Sequence, residues 1–192
     1  MDAQMLSQPL KVRRKSAMKI GHEVLITDQS DNLLLWVKQK GFKLKEDIRV
    51  YSDASRSEER LTIQAAKILD FNAAFHVIDP QTGERIGGFR RKGWSSMLQD
   101  EWQILDVNDN QIGSIHEDTM LLALVRRLLT NLVPQTYEFK VNGESVAQLK
   151  QHFNPFLFKG EFQMSPQGSD KLDPRLATAG IVLLMIMEGR QG

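Results

Sequence analysis

The chain contains no cysteine. That excludes a disulfide framework, cysteine-ligated zinc, thiol catalysis and palmitoylation, and it fits a reducing compartment. The N-terminal stretch MDAQMLSQPLKVRRK lacks an apolar core followed by a small-residue cleavage site, so it does not read as a secretory signal. Asp2 stands where a myristoylated chain needs glycine. Cytoplasmic residence, with at most peripheral contact to a membrane, is the expectation. Charge of one sign is also lacking: 25 Lys and Arg face 24 Asp and Glu, for a net +1, so the whole molecule is not a generic polyanion binder. Catalytic signatures are missing as well. There is no Gly-x-Ser-x-Gly elbow, P-loop, Gly-rich dinucleotide turn or zinc-protease helix. The four histidines, His22, His76, His116 and His152, share no metal-ligand spacing. The reading is therefore non-enzymatic, with no metal and no cofactor.

A long hydrophobic run is missing too, and the short one that exists is informative. LATAGIVLLMIM, from Leu176 to Met187, has no polar face; only Thr178 and Gly180 interrupt it. A helix apolar all round must be enclosed by protein or lipid. Twelve residues at helical rise reach about 18 Å, short of the roughly 30 Å hydrocarbon core. The segment, bounded at about 172–188, reads as a helix wrapped by its own chain.

The wrapper is written in repeated hairpins. Val24-x-Ile26-x-Asp28, Phe75-x-Val77-x-Asp79 and Trp102-x-Ile104-x-Asp106 alternate apolar and polar residues, the period of a half-buried strand. Four residues after each Asp comes Asn32, Gly83 or Asn110, residue types that tolerate positive φ. Tyr137-x-Phe139-x-Val141 with Asn142-Gly143 is a tighter hairpin. Further strands fit at Ile48-x-Val50, Leu61-x-Ile63, 146–149 and Phe156-x-Phe158. One stretch departs: Thr119–Val133 places apolar residues at 121, 122, 125, 128, 129 and 132, the spacing of an amphipathic helix. The expected fold is mainly β: a closed antiparallel barrel of about twelve strands enclosing the hydrophobic C-terminal helix, plus one amphipathic helix. Residues 1–17 read as a basic, flexible N-terminal segment and 18–192 as the barrel domain. A helix in the lumen leaves little room for a ligand, so function belongs on the wall and its loops.

The Asp-turn hairpins at 24–35, 75–87 and 102–113, the segment VKQKGFKLKEDIRVY (37–51), FNPF (153–156) and the closing LDPRLATAGIVLLMIMEG together resemble the tubby C-terminal-like superfamily. Within it the chain is similar to LURP-one-related proteins and phospholipid scramblases, over residues 18–190. The resemblance implies a twelve-stranded barrel threaded by the C-terminal helix. It also implies lipid contact, since tubby proteins bind phosphoinositides and scramblases move lipid. Scramblases carry an Asp-rich segment, proposed to bind calcium, before the last helix; here only Asp170 and Asp173 occupy that place, which argues against scrambling.

Candidate lipid contacts follow from charge and aromatic neighbours. Arg90, Arg91 and Lys92 lie near Trp94, and Lys43 and Lys45 with Lys38 and Lys40 could extend the patch on a shared wall. A second cluster, Lys11, Arg13, Arg14, Lys15 and Lys19, falls in the N-terminal segment. Charge runs also occur as plain solvated faces. Asp106, Asn108, Asn110 and Glu117 match four positions of a calcium loop, but Gln111 replaces the required glycine and the flanks are strand-like, so a turn is expected. His76 and Gln103 should face outward. The expected function is peripheral binding of acidic phospholipid or phosphoinositide through an outer basic patch. The alternative is a soluble protein–protein interaction module using loops or the 119–133 helix. Nucleic-acid contact is disfavoured by the near-neutral charge.

Overall fold

Twelve strands alternate inward apolar and outward polar residues, and their pairing returns on itself. The computed structural model describes residues 3–17, 21–39, 47–66, 74–91, 101–117, 135–152 and 158–187. After a 3-10 helix at Ala3–Leu6 come β1 (Leu10–Ala17), β2 (Gly21–Thr27), β3 (Leu33–Gln39), β4 (Ile48–Tyr51), β5 (Glu59–Ala65) and β6 (Ala74–Ile78). Then follow β7 (Arg85–Arg91), β8 (Glu101–Leu105), β9 (Gln111–Glu117), β10 (Thr136–Val141), β11 (Glu144–His152) and β12 (Phe158–Met164). A short helix α1 (Gly168–Lys171) leads into α2 (Pro174–Met187). Every strand is antiparallel to its sequence neighbour, and β1 pairs with β12 to close the barrel.

Closure removes free strand edges and creates a lumen. The lumen is filled by α2, whose residues from Leu176 to Ile186 are all buried. Inward side chains such as Val24, Ile63, Phe89, Ile104, Phe139, Leu149 and Phe162 meet it in one continuous core. At Gly180 two rings come close to the helix: a Cβ there would lie 2.8 Å from Phe139 Cε1 and 3.2 Å from Phe89 Cζ.

Both helix ends are matched to the helix dipole. Asp173 caps the start: its Oδ1 accepts from Arg175 N at 2.8 Å, and Pro174 takes the first helical position, where no donor is needed. At the other end the Arg14 guanidinium donates to the Met185 carbonyl at 2.9 Å. The buried Thr178 hydroxyl donates back to Pro174 O, so the one polar side chain in the apolar run is satisfied.

The Asp turns form one end of the barrel. Asp28 Oδ1 accepts from Ser30 N and Asn32 N, and its Oδ2 accepts from the Asn32 amide at 2.7 Å. Asp106 repeats this with Asn108 and Asn110. The third residue of each turn, Asp31 or Asp109, sits at φ 66° or 67°, the left-handed region. The Asp106–Glu117 segment is thus a turn followed by β9, as the strand-like flanks imply. Antiparallel alternation sets the 17/21, 39/48, 65/74, 91/101, 117/136 and 152/158 strand ends at the opposite rim, where α2 finishes.

One feature differs from the sequence reading. Residues 10–17 are not a flexible segment; they are β1, the strand that closes the barrel. Its period of two is hidden by charge: Leu10 and Val12 point inward, but so does Arg14, and Lys11, Arg13 and Lys15 alternate with them. Of the strand expected at Phe156-x-Phe158, residues 156 and 157 lie outside the described residues, and the described strand runs from Phe158 on to Met164. The 119–133 helix lies outside the described residues.

A cationic outer wall as the candidate functional site

Because the lumen is occupied, the wall and the two ends are what the protein presents. A recess of about 540 Å³ opens at the turn end beside the 3-10 helix, floored by Met5, Leu10, Leu34 and Leu35. Its two charged groups are committed elsewhere: Arg60 pairs with Glu58 at 2.8 Å, and Asp28 holds its own turn. Among the described residues no group of three or more His, Asp or Glu could hold a metal ion. No described helix is long and apolar enough to cross a membrane.

The residues singled out around β7 do not gather into one patch. Arg90 and Arg91 are successive strand residues, so their side chains leave opposite faces. Arg90 is on the outer wall beside Gln103 of β8. Arg91 is on the inward side at the rim, with its guanidinium 5.8 Å over the ring of the buried Trp102. Lys92, Trp94, Lys43 and Lys45 lie outside the described residues, as do Lys40 and Lys19.

The wall beside Arg90 is partly neutralised. Arg85 grips Asp109 with both terminal nitrogens, and His76 Nε2 lies 3.6 Å from the same carboxylate. The Arg85 hydrogen bond holds Asp109 below the ordinary carboxylate range. Burial, then repulsion from Arg85, pushes His76 below the usual imidazole value, favouring its neutral form. Gly88 lies beneath this cluster, with space for a Cβ limited by Phe75 O at 2.7 Å.

Two carboxylates, Asp170 and Asp173, precede the last helix. Asp170 is in the first turn of α1. Asp173 is held by Arg175 through Nε and Nη2, and Arg175 Nη1 also pairs with Asp79 at 2.9 Å. This Asp173–Arg175–Asp79 chain ties the start of α2 to the β6–β7 turn, a structural role.

A larger cationic surface stands on the opposite stretch of wall. The outward residues of β11 are Gln148, Lys150 and His152; those of β12 are Lys159, Glu161 and Gln163; those of β1 are Lys11, Arg13 and Lys15. On these three strands five Lys and Arg side chains share the face with one carboxylate. Register places Lys159 directly opposite Arg13 on one side and His152 on the other. Like charges directly across a sheet are destabilising. Lys11 and Arg13 find partial relief in Asp31, at 3.1 and 2.9 Å. Lys15, Lys150 and Lys159 have no ion pair among the described residues, and all three are exposed. Glu23 of β2 stands directly opposite Lys15, so adding it and Asp31 to Glu161 gives five cations against three anions, a net +2 on a protein whose total is +1.

The sequence contained these cations, but it gave no sign that residues 11–15 and 150–159 share a surface. Only the β1–β12 pairing, between segments about 150 positions apart, brings them together.

Residues 33–185 match the family model described as LURP-one-related. The chain belongs to that family. The LURP-one-related match spans β3 through most of α2, with β1 and β2 preceding it. An X-ray structure of a protein from Arabidopsis thaliana superimposes with a TM-score of 0.53 at 14% identity, covering 96% of this chain and 93% of that one. At that identity the similarity concerns the fold. No curated protein matches.

Proposed function

We propose that this LURP-one-related barrel is a peripheral binder of anionic phospholipid surfaces. The observation that carries the reading is the outer face of β11, β12 and β1, where Lys11, Arg13, Lys15, Lys150 and Lys159 outnumber a single glutamate. Each Lys or Arg held near an anionic leaflet contributes about 1 kcal/mol, so a handful suffices for reversible attachment. The like-charged Lys159–Arg13 pair is relieved when a phosphate lies between them. Resemblance to tubby-like barrels, whose outer walls meet phosphoinositide headgroups, supports the same direction. Arg90, on a wall that Asp109 partly neutralises, is a secondary contact at most.

The test is cosedimentation with vesicles of phosphatidylcholine, with and without phosphatidylserine or phosphoinositide. Binding should rise with anionic lipid and fall as salt is raised. The double change Arg13→Glu with Lys159→Glu should weaken it by about tenfold or more, whereas Arg90→Glu should have a smaller effect. Equal sedimentation with neutral and anionic vesicles would remove the reading in favour of a soluble protein-interaction module.

A further inference from the structure

The cationic wall continues, in register, into an aromatic one. Reading across the outer face, His152 pairs with Lys159, Lys159 with Arg13, Arg13 with Leu25, Leu25 with Trp36, and Trp36 with Tyr51. One row thus crosses six strands, from β11 to β4. Its first half is basic and its second half is aliphatic and aromatic.

Trp36 faces outward, since its neighbours Leu35 and Val37 fill the core. Yet it is only 5% exposed. Its indole Nε1 donates to Glu23 at 2.7 Å, and the Arg56 guanidinium lies over it, 5.7 Å from the ring centroid. The same guanidinium is 5.8 Å from the Tyr51 ring, and the two rings are 6.2 Å apart, tilted by 46°. Arg56 thus shields two aromatic faces at once.

The cover is built to come off. Arg56 is exposed in the β4–β5 loop and has no carboxylate partner among the described residues. Its backbone sits at φ 62°, a left-handed conformation that a non-glycine residue adopts at a cost. The loop is pinned by Asp53, which accepts from the hydroxyl and amide of Ser57. A guanidinium over rings in water is held weakly, whereas a guanidinium against phosphate makes two parallel, charge-assisted hydrogen bonds. Trp and Tyr, apolar with one polar handle, suit the boundary between headgroups and acyl chains.

We infer that Leu25, Trp36 and Tyr51 form the second half of the membrane-contact surface, its two rings kept covered by Arg56 until the basic half meets an anionic bilayer. This rests on the lipid-binding reading above. The charge complementarity of the adjoining cations selects a bilayer surface as the occupant. Arg56 then moves from the rings to lipid phosphate, and the rings enter the interface.

The experiment uses the full chain and phosphatidylcholine–phosphatidylserine vesicles with or without brominated acyl chains, read by cosedimentation and by tryptophan fluorescence together. Wild type should sediment and be quenched by bromine, and Trp36→Phe should lose most of that quenching while still sedimenting. In lipid-free solution Arg56→Ala should make Trp36 more accessible to acrylamide, the Trp36→Phe variant serving as blank. Sedimentation with the same bromine quenching in wild type and Trp36→Phe overturns this inference and leaves the lipid-binding reading standing. Failure to prefer acidic over neutral vesicles overturns both.

Discussion

Arg14 Nη1 donates to the carbonyl oxygen of Met185 across 2.9 Å, joining the first strand of the barrel to the last turn of the helix inside it. The guanidinium is largely buried, and burial pulls its pKa below the ordinary arginine value. Its Nε has no hydrogen-bond partner among the described residues. What favours it is the helix C-terminus, where the last carbonyls lack intrahelical partners and carry partial negative charge. Arg14→Ala should lower unfolding free energy by about 2 kcal/mol, the typical size of a hydrogen bond to a charged group, measured by chemical denaturation. Arg14→Lys should recover part of that loss, because it keeps the charge but loses the planar fork.

Gly180 should resist even one added methyl group. Alanine normally favours a helix interior over glycine by about 1 kcal/mol. Here the new Cβ would meet the Phe139 ring at 2.8 Å, with Phe89 and Ile115 close behind. Both rings are fully enclosed by neighbours, so neither has room to retreat. Overpacking of this kind costs about 1–3 kcal/mol, which outweighs the propensity gain. Gly180→Ala is expected to lower the melting temperature, and Gly180→Val to lower it much further.

The enclosed helix predicts the effect of a buried charge. Leu183 is 1% exposed and surrounded by core side chains. Leu183→Asp places an unpaired carboxylate there, at a cost of several kcal/mol, comparable to the whole stability of a domain. Insoluble or molten protein, judged by lost cooperativity in thermal melting, is the expected result. Removal of the residues after Ser169 should do the same, since it empties the lumen. A soluble, cooperatively melting truncation contradicts the role assigned to α2.

Acid should destabilise the barrel through its turn end. Backbone hydrogen bonds from Gln81, and then the Arg175 contact, hold Asp79 below the ordinary carboxylate value. Burial alone would raise Asp173, but its hydrogen bonds from Arg175 more than offset that and lower it. Hydrogen bonds from Asn32 and Asn110 lower Asp28 and Asp106 in the same way. When the folded pKa is below the unfolded one, the unfolded chain binds more protons, so stability rises with pH. The contribution is complete above the usual carboxylate pKa near 3.8 and is lost as pH falls through the lowered folded values. His76, lowered from 6.5, acts with the same sign at higher pH. Melting temperature should therefore drop below about pH 6 and fall more steeply below about pH 4. Asp79→Asn with Asp173→Asn should flatten the steep part; an unchanged acid limb sinks the assignment.

Much of the architecture is legible in local pattern. The alternation at Val24–Ile26, Phe75–Val77 and Trp102–Ile104 marks strands, because a sheet face repeats every two residues. The Asp-to-Asn or Asp-to-Gly spacing marks turns: the Asp28 and Asp106 side chains accept from backbone N–H four residues ahead, and in the third turn Asp79 accepts from Gln81 N through its side chain and from Gly83 N through its carbonyl. The apolar run at 176–187 marks an enclosed helix, because no face of it could meet water. β1 escapes the same reading: an inward arginine breaks its period, and that arginine makes sense only beside Met185, 171 residues away.

The candidate site was far less legible. Arg90 and Arg91 are neighbours in sequence and lie on opposite faces in space. Lys159 and Arg13 are remote in sequence and directly opposed across two strands. Which residues are inside, which segments turn, and that a helix must be sheathed were decided by the sequence alone, since each follows from short-range periodicity and side-chain hydration. Which charges share a surface was decided only by the tertiary structure, because barrel closure sets register between distant strands and a surface field depends on distance in space.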